Sequence, residues 1–144
     1  MIDDGTSPNA DPVLVTYGER RTTLLASFRH AFAGLWYAVK TQRNMQIHLA
    51  LAAAVFVLSL YLDLGWVQWA LLVLTSGFVL VAEMFNTMAE AAMDAAMPYR
   101  HPLVKVAKDV AAGAVLITAV VAVVVGLLVL GPPLWSKAIC WLVP

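Results

Sequence analysis

At 144 residues the chain is sized for one domain, and 62% of it is hydrophobic against 12% charged, roughly half the charged fraction of ordinary soluble domains. That balance makes lipid the solvent, and a formal net charge of zero leaves no overall field to recruit nucleic acid. The single cysteine, Cys140, excludes an internal disulfide and a thiolate metal cluster.

Residues 1–19 are acidic and contain Pro8 and Pro12, unlike the basic start and apolar core of a cleaved signal peptide, and read as a disordered cytoplasmic tail. A membrane domain follows over residues 20–131. In its first segment, 22–40, Leu24, Leu25, Phe28, Phe32, Leu35 and Trp36 recur at spacings of three and four among Arg29, His30 and Lys40. This predicts an amphipathic helix that, with Arg20 and Arg21 before it, lies in the headgroup layer. Packing on a protein partner is the plainer alternative.

Segment 45–62 is apolar apart from Gln46, His48 and Ser59, and as a helix it reaches about 27 Å, enough to span. Asp63, Leu64 and Gly65 make a turn, and Trp66 and Trp69 suit the far interface. A second span, 66–97, is long enough at about 48 Å to outlast the membrane by about three turns. Pro98 and Pro102 bracket a loop, and a third span covers 103–130, where Gly113 and Gly126 allow close helix approach. Gly131, Pro132 and Pro133 are expected to end it, leaving 132–144 as an extracytoplasmic tail with Trp135 and Trp141 at the interface.

The fold class is therefore all-α integral membrane, a surface helix plus three transmembrane helices. Arg20, Arg21, Arg29, Lys40, Arg43, Arg100, Lys105 and Lys108 share one side of this arrangement and Lys137 lies opposite, so the first side is cytoplasmic, as in a multi-pass protein of a bacterial inner membrane.

Four carboxylates, Glu83, Glu90, Asp94 and Asp109, fall inside apolar segments, where ionisable groups are costly and point to function. Glu83, Asn86, Glu90 and Asp94 are spaced by three, four and four residues and line one helix face. In the third span Lys105, Lys108, Asp109 and Ala112 also recur at helical spacing. Both stripes, with Gln42 and Arg43, reach the cytoplasmic interface, where a soluble phosphate donor meets lipid headgroups. Carboxylates there can hold Mg²⁺ or take a hydroxyl proton, and lysine can balance phosphate charge. Two other readings stay open: interhelical pairs, such as Lys108 with Glu90 or Asp94, and a proton or ion path, which the apolar outer halves of the spans do not continue. His48 reads as a packed or interface histidine, and His30 and His101 are too isolated for a metal site. None of the common phosphate-loop, dinucleotide, nucleophile-elbow or zinc-protease motifs occurs.

The run AEMFNTMAEAAMD, 82–94, followed by HPLVKVAKDVAAGAVL, 101–116, closely resembles the signature of the small prokaryotic diacylglycerol kinase and undecaprenol kinase family. SFRHAFAGLWYAVKTQRNMQIHL, 27–49, resembles that family's surface helix and entry to the first span. The resemblance implies an ATP- and Mg²⁺-dependent lipid kinase, a homotrimer with active sites shared between subunits. By it Glu83 is the catalytic base on the lipid hydroxyl. Glu90 holds Mg²⁺ and the phosphates, Asn86 and Asp94 position them, and Lys108 and Asp109 face the nucleotide. Tyr99, Arg100 and His101 occupy the loop that approaches the nucleotide, and His30 lies near its rim. Where the family commonly carries a second metal-binding glutamate this chain has Gln42, whose amide oxygen can coordinate Mg²⁺ but adds no charge. Ala112, in a stretch closer to undecaprenol kinases, stands where diacylglycerol kinases tend to carry serine. Undecaprenol is the expected substrate, with diacylglycerol, or a non-catalytic membrane adaptor on the same scaffold, as alternatives.

Overall fold

The computed structural model describes residues 23–97, 99 and 101–142, all but a few of them helical. The proposed tail, Arg20, Arg21 and Arg100 lie outside the described residues.

Helix α1, Leu24–Thr41, begins where the Thr23 hydroxyl accepts the Ala26 N–H at 3.4 Å. Its apolar side chains stay outside the fold: Leu24, Leu25, Phe28, Phe32 and Trp36 are all exposed. Such a face needs a cover from outside the described chain, of the kind an amphipathic helix finds in a headgroup layer or on a partner. Lys40 lies 5.3 Å from the Trp36 ring centroid, its charge at the polar border.

One residue, Gln42, in extended conformation separates α1 from α2, Arg43–Tyr61. The joint is fastened on both sides. Gln42 N–H donates to Ala38 O, Gln46 N–H donates to Gln42 O, and the Gln46 amide reaches back to Val39 O at 3.0 Å.

At the other end of α2 the turn is a Schellman motif: Leu64 N–H donates to Ser59 O and Asp63 N–H to Leu60 O. Asp63 takes the left-handed position, φ 53°, where glycine is usual. Gly65 then caps α3, Trp66–Ala96, its N–H donating to the Gln68 side chain at 2.9 Å. Around this turn sits the apolar core of Leu62, Leu64, Leu72, Val129 and Leu130, flanked by Phe56 and Trp69, whose ring centroids are 5.8 Å apart.

Helix α4, Pro102–Leu142, packs extensively along α3, and α2 also packs on α3. Helices α2, α3 and α4 are each long and apolar enough to cross a membrane, in agreement with the three expected spans.

Two expectations fail. Gly131, Pro132 and Pro133 do not end the third span, because α4 continues through them to Leu142, about 61 Å in all. The two prolines remove only the donors that would meet Leu128 O and Val129 O, and Gly131 has no Cβ to clash with the Pro132 ring. Lys137 anchors the helix beyond the prolines, donating to Tyr61 O at 2.5 Å and standing 4.2 Å from the Tyr61 ring centroid. A cation there also complements the C-terminal dipole of α2. Segment 132–142 is thus helix rather than tail. Nor do Gly113 and Gly126 serve close packing inside the chain: a Cβ added at either meets nothing within 4 Å.

The Asp63 geometry generates a stability test. Asp63→Gly is expected to raise the unfolding temperature in detergent, by up to about 1 kcal/mol of stability, whereas Asp63→Val costs about 1–2 kcal/mol. Equal unfolding temperatures for the two variants would show that the turn does not hold this geometry.

Candidate active site at the polar end of the bundle

The expected stripe on α3 forms, but its members meet different surroundings. Glu83 is 1% exposed, Asn86 6% and Thr87 7%, among the few buried polar side chains of the described residues. One turn further Glu90 is half-buried, and beyond it Asp94 is exposed. The stripe therefore grades from the interior to the surface.

Inside it, the Asn86 amide donates to Glu90 Oε1 at 3.2 Å and the Thr87 hydroxyl to Glu83 O at 2.9 Å. Two buried oxygens, Glu83 Oε2 and Asn86 Oδ1, have no hydrogen-bond partner. Buried polar atoms are nearly always satisfied, so two orphans one turn apart mark a place built for something else. His48 on α2 and Glu90 lie within electrostatic range of the Glu83 carboxylate.

At the surface end a cavity of about 560 Å³ is lined by Asp94, Tyr99, His101, Lys105, Lys108 and Asp109, among others. It brings together five of the residues expected at a nucleotide. Lys108 of α4 pairs with Asp94 of α3 at 2.5 Å, and Lys105 pairs with Asp109 at 2.5 Å. The interhelical pair considered from the sequence thus exists, with Asp94 as the partner. His101 caps α4: its Nδ1 accepts the Leu103 N–H at 3.2 Å. In the neutral ring this leaves the proton on Nε2, free to donate to a ligand. The N-terminal amides of α4 lie at the same cavity, with no acidic residue in the helix's first turn, and their dipole favours an anion.

Other expected members stand apart. Gln42 is half-buried at the α1–α2 joint, and neither hydrogen bond nor ion pair joins it to Glu90. His30 is exposed on α1, and Ala112 is exposed on α4, neither lining the cavity. Arg100 falls outside the described residues.

From the sequence, Lys105 has its place in the α4 stripe and on the basic side, His48 reads as a packed or interface histidine, and Thr87 has no role. The four-residue spacing of Lys105 and Asp109 could have shown their pairing and the E-x-x-N-T run the place of Thr87, whereas no local pattern places His48 beside Glu83.

Comparison with known proteins bears on the same segment. The family model described as prokaryotic diacylglycerol kinase matches residues 29–130. The chain is 46% identical over 114 residues to a diacylglycerol kinase of Synechocystis sp., covering 78% of this chain and 65% of that protein, so it spans slightly less than two thirds of that relative. It is 40% identical over 108 residues to an undecaprenol kinase of Bacillus subtilis, covering 75% of this chain and 88% of that protein. A diacylglycerol kinase of Helicobacter pylori is 34% identical over 98 residues, 62% of this chain and 76% of that protein.

The orphaned Glu83 oxygen carries a stability consequence. Glu83→Gln keeps the shape and removes a carboxylate that lacks a partner in an apolar surround, so the variant is expected to unfold at higher temperature, by about 1–2 kcal/mol. A lower unfolding temperature would mean that Glu83 is satisfied in the intact membrane protein.

Proposed function

This chain belongs to the prokaryotic diacylglycerol kinase family, a family of lipid kinases, and from that premise we propose that it transfers the γ-phosphate of ATP to the hydroxyl of a membrane lipid at the cytoplasmic surface. The observation that carries this reading is the α3 stripe, which runs from a buried, unpartnered carboxylate at Glu83 to a cation-bearing cavity at Lys108. A phosphoryl transfer needs both ends: a proton acceptor among lipid and a phosphate seat in water.

In this mechanism Glu83 takes the proton of the lipid hydroxyl as its oxygen attacks the γ-phosphorus. The bond to the β-phosphate oxygen breaks, and ADP leaves. Lys108, Lys105 and the Nε2–H of His101 face the phosphates, and Asp94 and Asp109 orient the two lysines until the nucleotide displaces them. Tyr99 of the loop lines the nucleotide cavity, and His30 approaches from the surface helix. Asn86, held by Glu90, keeps its free oxygen turned to the reacting groups.

The donor set suits a hard cation: Glu90 carboxylate, Gln42 amide and the orphan Asn86 Oδ1 are all oxygens. Among the described residues no cluster of three or more His, Cys, Asp or Glu exists, so a cation held here would need further oxygen ligands, such as those of a bound triphosphate. Glu90 and Gln42 would hold Mg²⁺, which when bound neutralises the triphosphate charge. Within one chain Gln42 and His30 stand apart from the cavity. This supports a homotrimer in which a neighbouring copy completes each site, its contacts covering part of the exposed apolar surface. The protein sits in a bacterial inner membrane with its basic side in the cytoplasm.

Undecaprenol is the preferred substrate. Ala112 and its neighbours support it, whereas the Synechocystis and Bacillus relatives carry one name of each kind. Purified protein in vesicles with MgATP, offered undecaprenol and diacylglycerol in parallel, is expected to give the higher kcat/KM with undecaprenol. No phosphorylation of either lipid would sink the kinase reading.

Two substitutions test the residues. Glu83→Gln should lower turnover by roughly 10²-fold or more without changing assembly, measured by phosphate transfer and by native mass. Near-normal turnover would remove Glu83 from the reaction. Gln42→Glu adds a charged oxygen ligand and should lower the Mg²⁺ concentration for half-maximal activity, and Gln42→Leu should raise it. The maximal rate need not follow, because a metal bound tighter in the ground state does not by itself lower the barrier. An unmoved Mg²⁺ titration in both variants would show that Gln42 is not a ligand.

A further inference from the structure

Between the three spans lies a second cavity of about 300 Å³, lined by His48, Val55, Thr75, Ser76, Ala122 and Gly126 among others. On every helix its lining advances in the same direction, from the cytoplasmic half outward. His48 to Val55 on α2 and Val79 back to Leu72 on α3 each cover about 10 Å, so the slot runs along the bilayer normal.

Its two ends differ. The outer end closes at Leu72, a member of the core cluster with Leu62, Leu64, Val129 and Leu130. The inner end carries His48, and Ser76 lies midway along the slot; neither makes a hydrogen bond among the described residues. Val79 of the lining stands one helical turn from Glu83, whose buried Oε2 is unpartnered. The slot is thus a blind apolar tube whose polar mouth adjoins the proposed proton acceptor.

Access is lateral. Helices α2 and α4 each pack chiefly on α3 and hardly on one another, which leaves the slot open between them to the acyl region of the bilayer. Ala122 and Gly126 keep the α4 wall low, and a Cβ at Gly126 would meet nothing within 4 Å. The volume is at the small end of ligand pockets. A slot of this size, with a mostly apolar lining, suits a hydrocarbon chain.

We propose that this slot seats the hydroxyl-proximal stretch of the acceptor lipid, a single-chain lipid alcohol that enters between α2 and α4 and whose remaining chain leaves by the same lateral gap, with His48 beside its hydroxyl at the mouth. The proposal rests on the reading of Glu83 as the proton acceptor. A single chain ending in a hydroxyl fills one blind tube and presents that hydroxyl where the carboxylate waits. His48 is then a positioning residue, its imidazole holding the hydroxyl oxygen in line with Glu83.

The wild-type protein in vesicles, illuminated with a polyprenol that carries a diazirine near its hydroxyl end, should be labelled within 48–55 and 119–127, and unlabelled undecaprenol should suppress the label. Labelling confined to exposed outward positions such as Leu60 and Leu116 would overturn the proposal. Ala122→Phe should raise the KM for undecaprenol about tenfold or more while kcat changes less than about threefold, the signature of lost substrate binding. Dissociation of the assembly with KM unmoved would instead make the slot a subunit interface and overturn the proposal. His48→Leu should lower kcat/KM and His48→Gln should restore part of it, a rescue that a packing role would not give. The labelling map needs no turnover, so it tests the slot even if Glu83→Gln remains active.

Discussion

Lipid offers no hydrogen bonds, so each polar group of a membrane helix must find its partner inside the protein or stay unsatisfied at considerable cost. This chain meets the requirement locally almost everywhere. Ser59, Thr75, Thr87 and Thr118 all turn their hydroxyls onto carbonyls of their own helices. Among buried side-chain atoms of the described residues the exceptions are Glu83 Oε2 and Asn86 Oδ1, which sit together on one face of α3. That pairing is the observation on which the proposed catalytic role of Glu83 rests.

The same constraint divides the molecule into two ends. At the outer end the Schellman turn, the Gln68 cap, the leucine and valine cluster and the Lys137 contact to Tyr61 tie α2, α3 and α4 together. The inner end is held by exposed ion pairs, Lys108 with Asp94 and Lys105 with Asp109. Such pairs contribute about 0–1 kcal/mol each, so a multiply charged phosphate can displace them at little cost. A fastened end thus carries an end whose charges can be exchanged, and Glu83 lies between the two.

Polar and apolar access are separated in a similar way. The surface cavity lies at the α4 N-terminus, capped by His101. The slot lies between the three spans. In the proposed reaction a soluble ligand at the first and a lipid at the second would meet along less than about four turns of α3, Glu83 to Asp94.

The sequence alone determined the helical class, the three spans, the turn at Asp63–Gly65 and the composition of the α3 stripe. These follow from apolar run length and from three- and four-residue spacing, which act within a few turns and need no tertiary partner. It also carried the family signature, because that motif is contiguous in the chain. Only the tertiary structure decided which acid each lysine pairs with, that His101 caps α4, how deeply Glu83 is buried and that His48 stands near it. It also decided that α4 passes Pro132 and Pro133. Proline lowers the local preference for helix, but whether the helix continues depends on what holds the residues beyond, here Lys137 anchored on Tyr61, 76 residues away in sequence. Spacing along one helix says which side chains share a face, and only the packing of other helices against that face decides which of them are buried, paired or left free to react.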